Sequence, residues 1–363
     1  MLQPVRVEPT DRSNNLNLIR LLAALAVMVS HAWPIVFGAG APEPLAATGY
    51  TLGTLAVMVF FGLSGFLIAA SWHRDPDPWR FLVRRGRRLF PGLWAMLVVS
   101  ALVLGPIVST LGVGEYLGDP GTWRFLWQNA LLLPIEPALP GVFTGNPYPA
   151  AAGSIWTLHY EALCYLALLL AGMMRLLRSD VAVWLAAAVL ALSIGAGLWP
   201  EQVHPRVASL IVLGLPFTLG AAAWSWRNRI VLGWPGIVLL VLAAWAARDG
   251  ALYHPLVAAA VVYATLWVGY VPWRIGAFVA RTDDLSYGIY LYAFPVQGLV
   301  QHMAAPQDVP THLALAVPST VVLAILSWRW IERPWLRSGA NRRGGVVQRA
   351  PTFSTRAPDA PPR

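Results

Sequence analysis

The sequence predicts an all-α fold: a polytopic transmembrane helix bundle of about ten helices with both termini cytoplasmic. Three observations carry this expectation. Of 363 residues, 57% are apolar and only 12% charged, too few charges to wrap so much apolar surface in a soluble shell. Runs of about 18 or more nearly uncharged residues recur between Leu16 and Trp328, each long enough to cross a hydrocarbon core about 30 Å thick. The basic residues, all of them arginine, collect in alternate loops. A water-soluble globule is excluded, and because lipid cannot satisfy backbone polar groups, helices are the economical way to span.

The predicted spans, in order, are 17–37, 52–70, 89–111, 152–173, 180–198, 207–225, 230–247, 254–270, 284–303 and 311–329. Placing the loops on alternate sides, with the N-terminus inside, puts 22 of the 26 arginines on the inner side. The outer loops hold only Arg124, Arg206 and Arg248, while Arg20 lies inside the first span. A missed or invented span would swap every later loop and spoil this asymmetry. The net charge of +9 is therefore read as topology, and no nucleic-acid partner is expected.

Three regions follow: a cytoplasmic segment 1–15, a transmembrane domain 16–337, and a cytoplasmic tail 338–363 whose Gly, Arg, Pro, Ser and Thr content predicts disorder. The first apolar run lacks a small-residue cleavage site and reads as a retained helix. Segment 112–151 is long for a helix connection, and its Trp123 and Trp127 suit an interfacial lid, a re-entrant turn, or a loop resting on the bilayer. The single cysteine, Cys164, allows no intrachain disulfide and reads as packing. No metal site is expected.

Polar residues inside the spans are the candidates for chemistry. Arg20 and His31 are eleven positions apart, which at 100° per residue places them on one helix face, about 16 Å apart along the axis. The second span carries Phe61-Gly62-Leu63-Ser64-Gly65, whose small residues permit close helix approach and whose Ser64 hydroxyl is a potential hydrogen-bond donor. Arg84, Arg85, Arg87 and Arg88 precede the third span. Four guanidinium groups at a bundle mouth suit phosphate, with Arg84 and Arg87, or Arg85 and Arg88, as alternative clamps. In the fourth span Glu161 lies several residues inside the outer boundary and shares a face with Tyr165, whereas His159 points nearly opposite. Glu161 is either buried and protonated or paired with a base or cation, and because it and His31 reach similar outer-half depths, a His–carboxylate pair competent for general-base catalysis is geometrically possible. Asp283 and Asp284 open the ninth span and suit a helix N-terminus, and Tyr287 follows. Glu332, before Arg333 and Pro334, reads as an ion-pair partner of the inner arginines or a helix-terminal clamp.

Taken together, the Arg20 and His31 spacing, the run Phe60 to Ile68, the arginines leading into Pro91, the segment Ser154 to Glu161, the run Ser286 to Tyr292 and the final Glu332-Arg333-Pro334 resemble the acyltransferase 3 family of membrane acyltransferases. These motifs occur in order across residues 16–337. The resemblance implies transfer of an acyl group, acetyl above all, from cytosolic acyl-CoA to a hydroxyl of a cell-envelope polysaccharide or lipid-linked sugar, in the bacterial inner membrane. It implies acyl-CoA, acetyl-CoA above all, as a co-substrate with no permanently bound cofactor. His31 and Glu161 would be catalytic, and Arg20, Arg84, Arg85, Arg87 and Arg88 would hold the donor. Ser64, Trp156, His159, Tyr165, Tyr287 and Glu332 would support substrate or structure. One departure is Tyr292-Ala293-Phe294, where many relatives carry tryptophan and histidine. Direct transfer and a covalent acyl-histidine are both chemically open. The rival expectation is a transporter of a lipid-linked sugar or acidic metabolite, which would use the same charges as a path.

Overall fold

A computed structural model describes residues 14–177, 179–270 and 283–341. The described chain is helical and contains no strand. The principal helices are α1 (Leu16–Phe37), α2 (Leu52–Arg74), α3 (Pro78–Val108), α4 (Val113–Gly118), α5 (Pro120–Ala130), α6 (Trp156–Met173) and α7 (Ser179–Leu198). They continue with α8 (Pro205–Ser225), α9 (Trp234–Ala246), α10 (Tyr253–Tyr270), α11 (Ser286–Ala304), α12 (Val309–Ser327) and α13 (Arg333–Asn341). A helix occupies each of the ten predicted spans. Seven of the described helices are long and apolar enough to cross a membrane, whereas α9 is a shorter apolar helix.

Local chemistry sets several helix starts. Thr51 caps α2 by accepting the Thr54 amide at 3.0 Å, and Asp308 caps α12 by accepting that of Thr311 at 2.8 Å. Asp77 does the same for the Arg80 amide at 2.7 Å, with Pro78 as the first residue of α3. That cap corrects the third span: the helix begins at Pro78 rather than near residue 89, so Arg80 to Arg88 ride on its first three turns. A π-helical segment, Val99–Leu104, continues it to Val108. Another, Trp328–Glu332, joins α12 to α13. Because α13 runs to Asn341, four residues expected in the disordered tail are helical; 342–363 lie outside the described residues, as do 1–13.

Helix α2 lies at the centre, packed on α1, α6, α8 and α10. Its closest crossing is with α8: a Cβ on Gly65 would stand 1.9 Å from the Phe217 carbonyl oxygen, and one on Gly220 would stand 2.0 Å from that of Gly62. The Phe-Gly-Leu-Ser-Gly run is therefore a close-approach seam, as its small residues suggest.

Segment 112–151 is a packed cap. Helices α4 and α5 bury Tyr116 and Phe125 while exposing Trp123 and Trp127, an amphipathic arrangement suited to an interface. The following chain dips inward. Asn129 brackets the backbone of Glu136, Phe143 is fully buried and abuts Gly298, and Asn146 donates to the Gly298 carbonyl at 2.8 Å. Ser154 and Ile155, just before α6, are buried.

Candidate functional site

A cavity of about 1180 Å³ opens at the arginine-rich end of the bundle. Seven arginines line it, Arg20, Arg74, Arg80, Arg84, Arg85, Arg87 and Arg88, against two lining carboxylates, Glu161 and Asp284. Its mouth carries the exposed Trp79, Arg74 and Arg80, and its walls come from α2, α3, α6 and α11. The volume exceeds the roughly 300–1,000 Å³ of ordinary small-molecule sites. A large, elongated polyanion fits that combination of size and charge.

The arginines are not equivalent. Arg84 is held by Asp75 at 2.5 Å, and Arg80 meets the same carboxylate at 3.0 Å. Asp284 bridges two helices, taking Arg20 of α1 at 3.0 Å and Arg88 of α3 at 2.7 Å, while also accepting the Ser286 hydroxyl at 2.6 Å. The Arg88 guanidinium stands 5.6 Å from the centroid of the Tyr287 ring, whose hydroxyl donates to the Leu89 carbonyl at 2.5 Å. Arg85 and Arg87 line the cavity without a carboxylate partner among the described residues, and the Arg85 Nε is buried without a hydrogen bond. The structure thus selects neither expected pair of arginines. It leaves Arg85 and Arg87 free for an anion, with Arg20 and Arg88 held in place by a carboxylate.

Glu161 sits in this cavity. It accepts the Ser64 hydroxyl at 3.0 Å and the Tyr165 hydroxyl, which shares its helix face as expected. It does not meet His31. It bonds instead to Ser64, midway along α2, within the arginine-lined cavity. The expected pairing of Glu161 with His31 at one outer depth is therefore absent from the structure.

His31 lies one turn beyond the inner end of the cavity. Its ring meets Phe294 edge to face at 5.2 Å between centroids, and its Nδ1 is buried without a hydrogen-bond partner. Phe294 also covers Gly153 and packs with Tyr148. Between this histidine and the cavity stands Tyr290, one turn earlier on α11. Its hydroxyl donates to the Ser154 carbonyl and receives a hydrogen bond from Thr157 at 2.6 Å.

Three supporting candidates fall elsewhere. Trp156 is exposed, stacked edge to face on Tyr160, and His159 binds the Leu132 carbonyl at 2.5 Å, outside the cavity lining. His159 thereby belongs to the junction with the 112–151 cap. Glu332 is 3% exposed and forms no ion pair among the described residues. It accepts the Ser327 hydroxyl at 3.0 Å instead, because the π-helical turn folds it back onto α12. Sequence reasoning missed Asp284 as a bridge, and Tyr290 and Thr157 as the end of the cavity. Two adjacent aspartates on the arginine-rich side were the available signal for the first.

The chain is 26% identical over 338 residues to an O-acetyl transferase of Shigella phage Sf6, covering 90% of this chain and 96% of that protein. It is 30% identical over 370 residues to nodulation protein 10 of Rhizobium leguminosarum bv. viciae, covering 92% and 96%. It is 26% identical over 356 residues to the exopolysaccharide production protein ExoZ of Rhizobium meliloti (strain 1021), covering 83% and 96%. No solved structure matches significantly. The family described as an acyltransferase domain, acyltransferase 3, matches residues 13–329, and the chain, a multi-pass integral membrane protein, belongs to that family.

Proposed function

We propose that this protein transfers an acyl group, acetyl in the first instance, from cytosolic acyl-CoA to a hydroxyl of a cell-envelope polysaccharide or lipid-linked sugar. One observation carries the proposal: a deep cavity whose arginines outnumber its carboxylates opens at one end of the bundle and stops one turn short of His31. Family membership supports acyl transfer, with acyl-CoA as the typical donor of such enzymes. Two relatives, an O-acetyl transferase and an exopolysaccharide production protein, support O-acyl transfer to a glycan acceptor. The arginine asymmetry of the loops supports ten crossings with the cavity mouth and both termini in the cytoplasm.

In this reading the donor's phosphates engage Arg85 and Arg87, with Arg20 and Arg88 adding field from their Asp284 bridge. The pantetheine arm, roughly 15–20 Å when extended, matches the about 16 Å that separates Arg20 from His31 along α1. Neutral His31 takes the proton of the acceptor hydroxyl as its oxygen attacks the thioester carbonyl. The C–O bond forms as the C–S bond breaks, and the proton passes from His31 to the departing thiolate. Glu161, bonded to Ser64 and Tyr165, supplies negative charge within the arginine-lined cavity. It organises the donor side in this scheme and does not orient the histidine.

The test compares acyl groups on envelope glycans from wild-type, deletion and His31→Ala cells by mass spectrometry and NMR. The ester is expected in wild-type cells alone. Unchanged acylation in all three strains overturns the proposal.

A further inference from the structure

The cavity ends in a wall whose composition follows from three helices. On α2 the lining residue furthest from the mouth is Val57, with Phe60 and Phe61 beside it; on α11 it is Tyr290, and on α6 it is Thr157. Tyr290 is 6% exposed and fixed at three points: its hydroxyl donates to the Ser154 carbonyl, Thr157 donates to it, and its ring meets Phe60 edge to face at 6.1 Å. One turn beyond, Phe294 closes against Gly153 and His31. Tyr290, which lines the cavity, and Phe294, which touches His31, thus stand in succession on α11 from the cavity toward the histidine.

We propose that the Tyr290–Thr157 wall sets the length of acyl group the protein accepts, admitting short groups and excluding chains such as octanoyl. The inference rests on the reading that the cavity binds acyl-CoA. Arg74 at the mouth and Val57 at the far end are 17 residues apart on α2, about 25 Å at the helical rise. A pantetheine arm extended to about 20 Å, anchored through its phosphates near the mouth, carries the thioester toward His31 to within about one helical turn of the wall, and only that depth is left for the acyl group. An acetyl group fits that remainder, whereas an octanoyl chain meets the hydrogen-bonded tyrosine. The wall is built from rigid aromatic rings and a buried hydroxyl pair, so a longer chain must break the Thr157–Tyr290 bond or displace Phe60. The ring bulk of Tyr290 is the determinant, and its hydroxyl holds that bulk in place.

The experiment measures binding of CoA, acetyl-CoA, butyryl-CoA and octanoyl-CoA to the full-length protein in detergent. Wild type is expected to bind octanoyl-CoA at least about tenfold more weakly than acetyl-CoA, the discrimination an apolar pocket reaches on small size differences. Tyr290→Ala is expected to remove that difference, and Tyr290→Phe to retain most of it. Thr157→Ala, which loosens the wall without removing the ring, is expected to give an intermediate ratio and serves if Tyr290→Ala does not fold. Equal binding of all chain lengths by wild type, or unchanged discrimination in both Tyr290→Ala and Thr157→Ala, overturns the inference while leaving the donor site intact. Failure of CoA itself to bind wild type defeats the donor reading, and the inference with it.

Discussion

Replacing Asp284 by asparagine isolates the contribution of one carboxylate to the site. Its side chain is 14% exposed and bonds Arg20 at 3.0 Å and Arg88 at 2.7 Å, whose side chains are 24% and 17% exposed. Asparagine keeps an oxygen for the Ser286 hydroxyl but removes the charge shared by the two guanidinium groups. Breaking a buried ion pair costs about 3–5 kcal/mol, and hydrogen bonds to charged groups are worth about 1.5–3 kcal/mol each. Residual solvent access discounts both, so the expected loss is about 2–4 kcal/mol, or a fall of roughly 3–5 °C in the unfolding midpoint of a chain this long. The assay is thermal unfolding in detergent with and without CoA. Because a phosphate replaces the missing counter-ion, CoA is expected to raise the midpoint of Asp284→Asn more than that of wild type. A variant as stable as wild type, or one that gains no more from CoA, refutes the bridging role.

Other substitutions test other parts of the account. Arg85→Ala is expected to weaken CoA binding by about tenfold or more, the value of one charge-assisted contact, while Arg84→Ala, whose guanidinium Asp75 already occupies, has a smaller effect in the same titration. His31→Ala is expected to abolish ester formation while leaving the CoA dissociation constant within about twofold, because its ring lies outside the cavity lining. Gly65→Ala places a Cβ 1.9 Å from the Phe217 carbonyl oxygen, and the forced separation of α2 from α8 should cost about 1–3 kcal/mol or more, read as a lower unfolding midpoint.

The helix inventory was legible because membrane spans announce themselves through uninterrupted apolar length, and the close seam at Gly62 and Gly65 because small residues have few other uses there. The true start of α3 was also written in the chain, as Asp77 followed by Pro78. Hydropathy alone hides it, since the arginines of its first turns interrupt the apolar run. The site was only partly legible. Helical periodicity correctly places Tyr165 beside Glu161, four residues away, because that contact is local. Depth is not local: that Glu161 meets Ser64, midway along α2, in the arginine-lined cavity depends on how separate helices pack against one another. The Asp284 bridge joins Arg20 of α1 and Arg88 of α3 to a residue just before α11, far apart in the chain, and no periodicity within one helix encodes it.

Sidedness tests the central claim most directly. The protein, reconstituted in sealed vesicles in known orientation, is given labelled acetyl-CoA on one face and extracted envelope glycan on the other. Ester formation is expected only when the donor faces the Arg84–Arg88 end, and its loss in His31→Ala ties the product to α1. Transfer that occurs only with the donor on the opposite face would contradict a cavity that feeds His31 from the arginine side.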